Sequence, residues 1–255
     1  MDVTTAEDIK ALQELIVREL PRWIEEQPEL RQRLAEVLSE AMARAEGREP
    51  MPPRMTYEEF LEWADEDTLA EWVDGEVVMY SPASKQHQDI ADFLTSVMRM
   101  FVEQHGLGIV LGAPFQMKLE HGREPDLLFV AHEHLERLKE THLEGPADLV
   151  VEIVSPDSFA RDRGEKFYEY EAGGVREYWL LDPDRRWAEF YCLGEDGRYR
   201  TTFAGAEGIY HSEVLSGFWL RVEWLWQEPL PAVEEVMLDV GGEEDARRPL
   251  ERLRR

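Results

Sequence analysis

The chain has 255 residues, with 28 Lys+Arg against 55 Asp+Glu and a formal net charge of −27. That length can bury a real core, and a 43% hydrophobic, 10% aromatic composition excludes a disordered chain. No run reaches the ~18 apolar residues of a membrane span, and a single cysteine, Cys192, excludes a disulfide framework or a multi-cysteine zinc site.

No secretory signal is visible at the N-terminus, so a cytoplasmic location without a membrane partner is expected. So acidic a surface repels nucleic acid at long range, although that concerns the whole body and not a site. Asparagine is absent and arginine outnumbers lysine 23 to 5, a bias compatible with a thermophilic source. The five lysines are Lys10, Lys85, Lys118, Lys139 and Lys166.

Residues 1–46 predict helices. Ile9, Leu12, Leu15, Ile16, Leu20, Trp23 and Ile24 recur at three-and-four spacing up to Pro28, and Leu30, Leu34, Val37, Leu38 and Ala41 form a second set. Three prolines and a glycine in 47–53 predict a linker. Residues 1–50 are therefore expected to form a helical N-terminal extension, packing on the main domain or on a second subunit. The main domain then spans 54–237.

Thr56-Tyr57-Glu58-Glu59 is a capping-box pattern that starts a short helix. Asp74-Gly75 predicts a hairpin turn between strands at 69–73 and 76–80. Ile90, Phe93, Leu94, Val97, Met98 and Phe101 share one face of a long helix over 85–105. Short strands are expected at 107–111, 115–119 and 126–130, then a short polar helix over 132–140. Residues 148–154 are apolar on both faces except at Glu152, the pattern of a central strand covered on both sides. A helix from about 158 to 172 stops at Gly173-Gly174. Residues 176–181 read as a second central strand with Asp182-Pro183-Asp184 as its turn, and 187–193 with 199–203 as a meander. The charged, Gly-rich stretch 238–255 reads as a loose tail. The fold class is α/β, a mixed central sheet flanked by helices.

Glu152 is the residue that needs a reason. An unpaired buried carboxylate is costly, so it requires a cation, a metal or hydrogen bonds. Asp126, after Pro125 at the head of another core strand, is a second such acid. If the two strands are neighbours, both acids enter one cleft and can share a divalent cation, with magnesium or manganese suiting hard oxygen ligands. Lys166 is placed about a turn and a half into the following helix, from where it can return to both acids. Two carboxylates and an ammonium are the equipment of metal-assisted phosphodiester hydrolysis.

Each of these residues also has an ordinary structural reading. The acids can be held by arginines or backbone N–H groups, Lys166 can pair along its helix with Glu169 or Asp162, and His87 can be a plain helix residue. Trp219, Trp224, Trp226 and Phe218 read as core aromatics before a base-stacking platform. His132-Glu133-His134 lacks the second histidine of a zinc-protease helix, and no P-loop or Gly-x-Ser-x-Gly occurs.

Glu124-Pro125-Asp126, the run Val151-Glu152-Ile153-Val154-Ser155-Pro156, the run Arg161-Asp162-Arg163-Gly164-Glu165-Lys166, and residues 174–183 together resemble a bacterial family of proposed restriction endonucleases within the PD-(D/E)XK nuclease superfamily. Upstream, residues 55–60, Glu71, Asp74-Gly75-Glu76, Ser81-Pro82 and His87 fit the same pattern, so the likeness covers 54–225. It implies a restriction-endonuclease-like core, α-β-β-β-α-β, with Asp126 and Glu152 as metal ligands and the Ile153 carbonyl as a further one. In that superfamily the lysine stands two residues after the glutamate, where this chain has Val154. Lys166 is therefore expected to act as a migrated catalytic lysine, with His87 and Glu71 at the rim of the site.

The leading functional expectation is a Mg2+- (or Mn2+-) dependent endonuclease acting on DNA, working as a homodimer. Two other readings stay open: a nuclease-fold scaffold with a degenerate centre, and a metal-dependent phosphoesterase acting on RNA or nucleotides. Arg161, Arg163, Lys166, Arg176, Arg185 and Arg186 crowd the segments around the acids. They predict a basic rim on an acidic body, and weak, salt-sensitive, metal-dependent DNA binding.

Overall fold

A computed structural model describes residues 54–64, 70–79, 83–155 and 162–252, side chains of 243–252 excepted. The helices and linker expected before residue 54 lie outside the described residues, as do Leu69, Tyr80, Ser81-Pro82, Pro156 and Arg161.

Local chemistry starts the first elements where the sequence predicts. Helix α1 (Tyr57–Trp63) opens on a complete capping box: the Glu59 N–H donates to Thr56 Oγ1 at 3.2 Å, and the Thr56 N–H donates to the Glu59 carboxylate at 2.7 Å. Strands β1 (Ala70–Val73) and β2 (Glu76–Met79) pair antiparallel around Asp74-Gly75, whose φ angles of 52° and 86° give the twist that a two-residue hairpin requires. Helix α2 (Lys85–His105) is capped by Ser84, which accepts from the His87 N–H, and ends on left-handed Gly106.

The remaining strands are β3 (Gly108–Gly112), β4 (Gln116–Lys118), β5 (Gly122–Arg123), β6 (Leu127–Ala131), β7 (His142–Glu144) and β8 (Leu149–Ile153). After helix α3 (Glu165–Gly173) come β9 (Glu177–Asp182), β10 (Trp187–Leu193), β11 (Tyr199–Gly205), β12 (Ile209–His211) and β13 (Trp219–Arg221), and helix α4 (Val233–Arg252) follows. Six strands form the central sheet in the order β11-β10-β9-β8-β6-β3, antiparallel throughout except that β8 and β9 run parallel across the α3 crossover. A second sheet, β2-β1-β5-β4-β7, and the β12-β13 ribbon complete the strands among the described residues.

The continuous apolar run of β8 is explained by what covers it. Leu149, Val151 and Ile153 join the core under α2, while Val150 and Val154 join the core under α3, with Tyr170 and Tyr178. Alternation then puts Glu152 on the α3 face.

Five elements differ from expectation. Residues 132–140 form a 3-10 turn over His132–Arg137, because buried Asp148 accepts from the Ala131 N–H at 2.8 Å and from His134 Nδ1 at 3.0 Å and pins the segment. The short strands β5 and β7 carry too few residues to show a period. Helix α3 begins behind Gly164, so Lys166 stands in its first turn and not a turn and a half in; the predicted part before residue 162 lies outside the described residues. The stretch read as a loose tail is helical through Arg252, apart from Gly242, since Val236 and Met237 bury themselves in the core around α2. Among the described residues no helix is long and apolar enough to cross a membrane.

Candidate active site

Strand pairing brings the two predicted acids together. β6 and β8 are antiparallel neighbours with Leu127 opposite Val151, so Asp126, immediately before β6, comes to the Glu152–Ile153 end of β8. The Ile153 N–H donates to Asp126 Oδ2 at 2.6 Å and fixes that carboxylate. Its other oxygen lies 3.3 Å from Nε2 of His87, in the first turn of α2. Burial works against a charged His87, but Asp126 and the Ile153 carbonyl outweigh it and raise its pKa above the ordinary imidazole value.

Lys166 completes the cluster. Its Nζ lies 3.0 Å from both oxygens of Glu152, 2.9 Å from Glu71 Oε1 and 3.6 Å from Asp162 Oδ1, and all four residues are buried. A lysine at a helix N-terminus opposes the helix dipole. Its placement therefore comes from the acids and not from the helix. Burial alone would strip the proton from Lys166, but Glu152 and Glu71 hold it well above the ordinary lysine range. Glu152 is pushed well above the usual carboxylate range by burial; Lys166 opposes that push, while Asp162, Asp126 and Glu71 add to it. One helical turn on, the Tyr170 hydroxyl donates to Glu152 Oε1 at 2.6 Å.

Glu71, expected at the rim, sits at the centre of a further network. Its Oε1 also accepts from the Glu124 N–H at 3.1 Å, and its Oε2 from Arg123 Nη1 at 3.1 Å. Arg123 is itself buried and donates through Nε to Glu169 Oε2 at 2.7 Å. Glu124 accepts from Gln116 Nε2 at 3.1 Å, and burial, with Glu71 nearby, pushes its pKa up to about 7. Sequence reasoning missed Tyr170, Arg123 and Glu124 as parts of this cluster. The one available signal was the four-residue spacing of Lys166 and Tyr170.

The predicted basic rim is reduced. Lys166 is internal, and Arg176 stands at the end of β9 away from Glu152, since Leu149 pairs with Glu177. Asp182 is buried and holds its own turn, accepting from the Arg185 N–H at 3.0 Å. Phe218 and Trp224 are core residues, as expected.

The family model Uma2, described as "Putative restriction endonuclease", matches residues 57–223. The chain belongs to the Uma2 family. A solved structure described as a "putative nuclease belonging to DUF820", from Anabaena variabilis, superposes with a TM-score of 0.58 at 18% identity. It covers 68% of this chain and 97% of its own, a likeness of fold. No curated protein matches the sequence.

The divalent cation implied by the resemblance finds a suitable donor set here. Asp126, Glu152 and the Ile153 carbonyl are hard oxygen donors, the Asp126 side chain being 19% exposed and Glu152 buried. Among the described residues no three His, Cys, Asp or Glu side chains form a ready-made metal cage.

Proposed function

We propose that this Uma2-family chain is a divalent-metal-dependent endonuclease acting on DNA phosphodiesters. The observation that carries the reading is the buried Lys166 ammonium, 3.0 Å from both oxygens of Glu152 on the strand beside Asp126. Asp126, Glu152 and the Ile153 carbonyl would hold Mg2+ or Mn2+, which when bound polarises a phosphoryl oxygen and acidifies a water.

The chain's own residues perform the rest. Glu71 and Glu152 keep Lys166 protonated and in place, so that its ammonium offsets negative charge developing on the phosphate and orients the attacking water. The Ile153 N–H and His87 aim Asp126, and Tyr170 fixes the rotamer of Glu152. Val154, in the usual lysine position, is buried in the core under α3, and the ammonium comes from the helix instead. This favours an intact centre over a degenerate scaffold. A homodimer would present two such centres to opposite strands.

Calorimetric titration with Mn2+ tests the metal centre: the parent gives a binding isotherm that Glu152→Gln abolishes, whereas a parent without any isotherm rejects it. Labelled DNA and RNA strands incubated side by side with Mg2+ decide the substrate, and cutting confined to RNA would reject the DNA assignment.

A further inference from the structure

The β9–β10 turn lies next to the candidate centre and takes no part in it. β9 runs parallel to β8, with Ile153 beside Leu181 and the Val154 N–H donating to the Leu181 carbonyl at 2.7 Å. The turn therefore emerges at the same end of the sheet as Ile153. Trp187 pairs with Asp182 on the next strand over, about 10 Å from β8 at ~4.8 Å per strand.

The run Asp184-Arg185-Arg186-Trp187 is exposed, with Trp187 39% open and the Arg185 side chain 60% open. Arg185 Nη1 pairs with Asp182 Oδ2 at 3.3 Å and Asp184 shares the run, so it is Arg186 and the indole that set this edge apart from a body of net charge −27. Arg186 has φ 48°, a left-handed conformation in which glycine or asparagine is cheaper, so the arginine is kept there at a local conformational cost. Glu189 orients the surface. It accepts from Trp187 Nε1 at 3.1 Å and from the Tyr191 hydroxyl, and it pairs at 2.8 Å with Arg163, which precedes the helix bearing Lys166. The indole N–H is thereby satisfied internally, which leaves the ring to act by stacking.

We propose that this turn docks a single-stranded DNA segment flanking the scissile phosphate, with Arg185 and Arg186 on its phosphates and Trp187 stacked on a base. The proposal rests on the endonuclease reading and adds to it a preference for single strands, because a base stacked between its neighbours inside a duplex offers no free face to an indole.

Fluorescence anisotropy of the full chain in Ca2+, with a labelled oligothymidylate and a blunt duplex, tests it. Trp187→Ala is expected to weaken single-strand binding roughly five- to a hundredfold, the range for one base on an aromatic platform, and Trp187→Phe to restore most of it. The double variant Arg185→Ala/Arg186→Gly is expected to flatten the logarithmic salt dependence by about 1.4 for two lost phosphate contacts. Its thermal midpoint stays unchanged or rises, since glycine relieves the left-handed residue. Equal oligothymidylate affinity in the parent and Trp187→Ala overturns the proposal. So does a parent that binds no single strand, and so does an equal loss on the duplex. Cleavage is scored separately: a parent that never cuts DNA removes the endonuclease reading, while the anisotropy still decides the turn.

Discussion

Replacing Lys166 with methionine removes the ammonium from among Glu71, Glu152 and Asp162 while keeping most of the apolar stem. Each of these acids has an oxygen 2.9, 3.0 or 3.6 Å from Nζ in the parent, so the variant leaves three buried carboxyl groups facing the same gap. Breaking a buried pair on one side costs about 3–5 kcal/mol. The acids limit that loss by taking up a proton, a course for which burial and neighbouring acids already prepare Glu152. Protonating one glutamate with an unfolded pKa of ~4.3 costs about 5 kcal/mol at pH 8 and about 1.6 kcal/mol at pH 5.5, at roughly 1.36 kcal/mol per pH unit. The native variant then binds one proton more than its unfolded chain, so its stability rises as pH falls. Urea unfolding of the parent and Lys166→Met in EDTA is expected to show a deficit that shrinks, by up to about 3 kcal/mol, between pH 8 and pH 5.5. A deficit of the same size at both pH values, or one below about 1 kcal/mol at pH 8, would refute the reasoning.

Tyr170→Phe removes the 2.6 Å donor to buried Glu152 and is expected to cost about 1–3 kcal/mol in urea unfolding while weakening Mn2+ binding. Glu177 accepts from Trp179 Nε1, the Tyr210 and Ser212 hydroxyls and the Glu213 and Val214 N–H groups, and an amide cannot accept on both of its termini. Glu177→Gln is therefore expected to lower stability by about 3 kcal/mol or more without changing Mn2+ affinity, which separates damage to the fold from damage to the site. Burial pushes the Cys192 thiol up to about 11, so alkylation of the native chain at pH 8 should run roughly a hundredfold slower than in urea. Equal rates in both conditions would contradict that burial.

Much of the fold was legible because its signals are local. The Thr56–Glu59 capping box, the Asp74-Gly75 turn and the apolar face of α2 each rest on residues a few positions apart. The two-sided apolar pattern likewise located β8 and exposed Glu152 as the residue needing a partner. What the sequence hid depends on contacts between distant residues. The 3-10 turn after β6 is held by Asp148 from the head of β8, and the C-terminal helix is kept by burial of Val236 and Met237 under α2. The pairing of Glu71 with Lys166 needs two sheets to meet before it exists, so Glu71 reads from sequence as a peripheral acid. The motif positions of Asp126, Glu152 and Lys166 were visible, whereas Tyr170 and Arg123 appear only once the chain is folded.

Nicking of supercoiled plasmid DNA by the parent and by Asp126→Ala, with Mg2+ or Mn2+ and with EDTA, decides whether Asp126 serves a metal-dependent nuclease centre. Metal-dependent nicking by the parent, loss of at least a hundredfold in Asp126→Ala, and none for either protein in EDTA are expected. Equal nicking by the two proteins, or no nicking by the parent under either metal, would contradict that role.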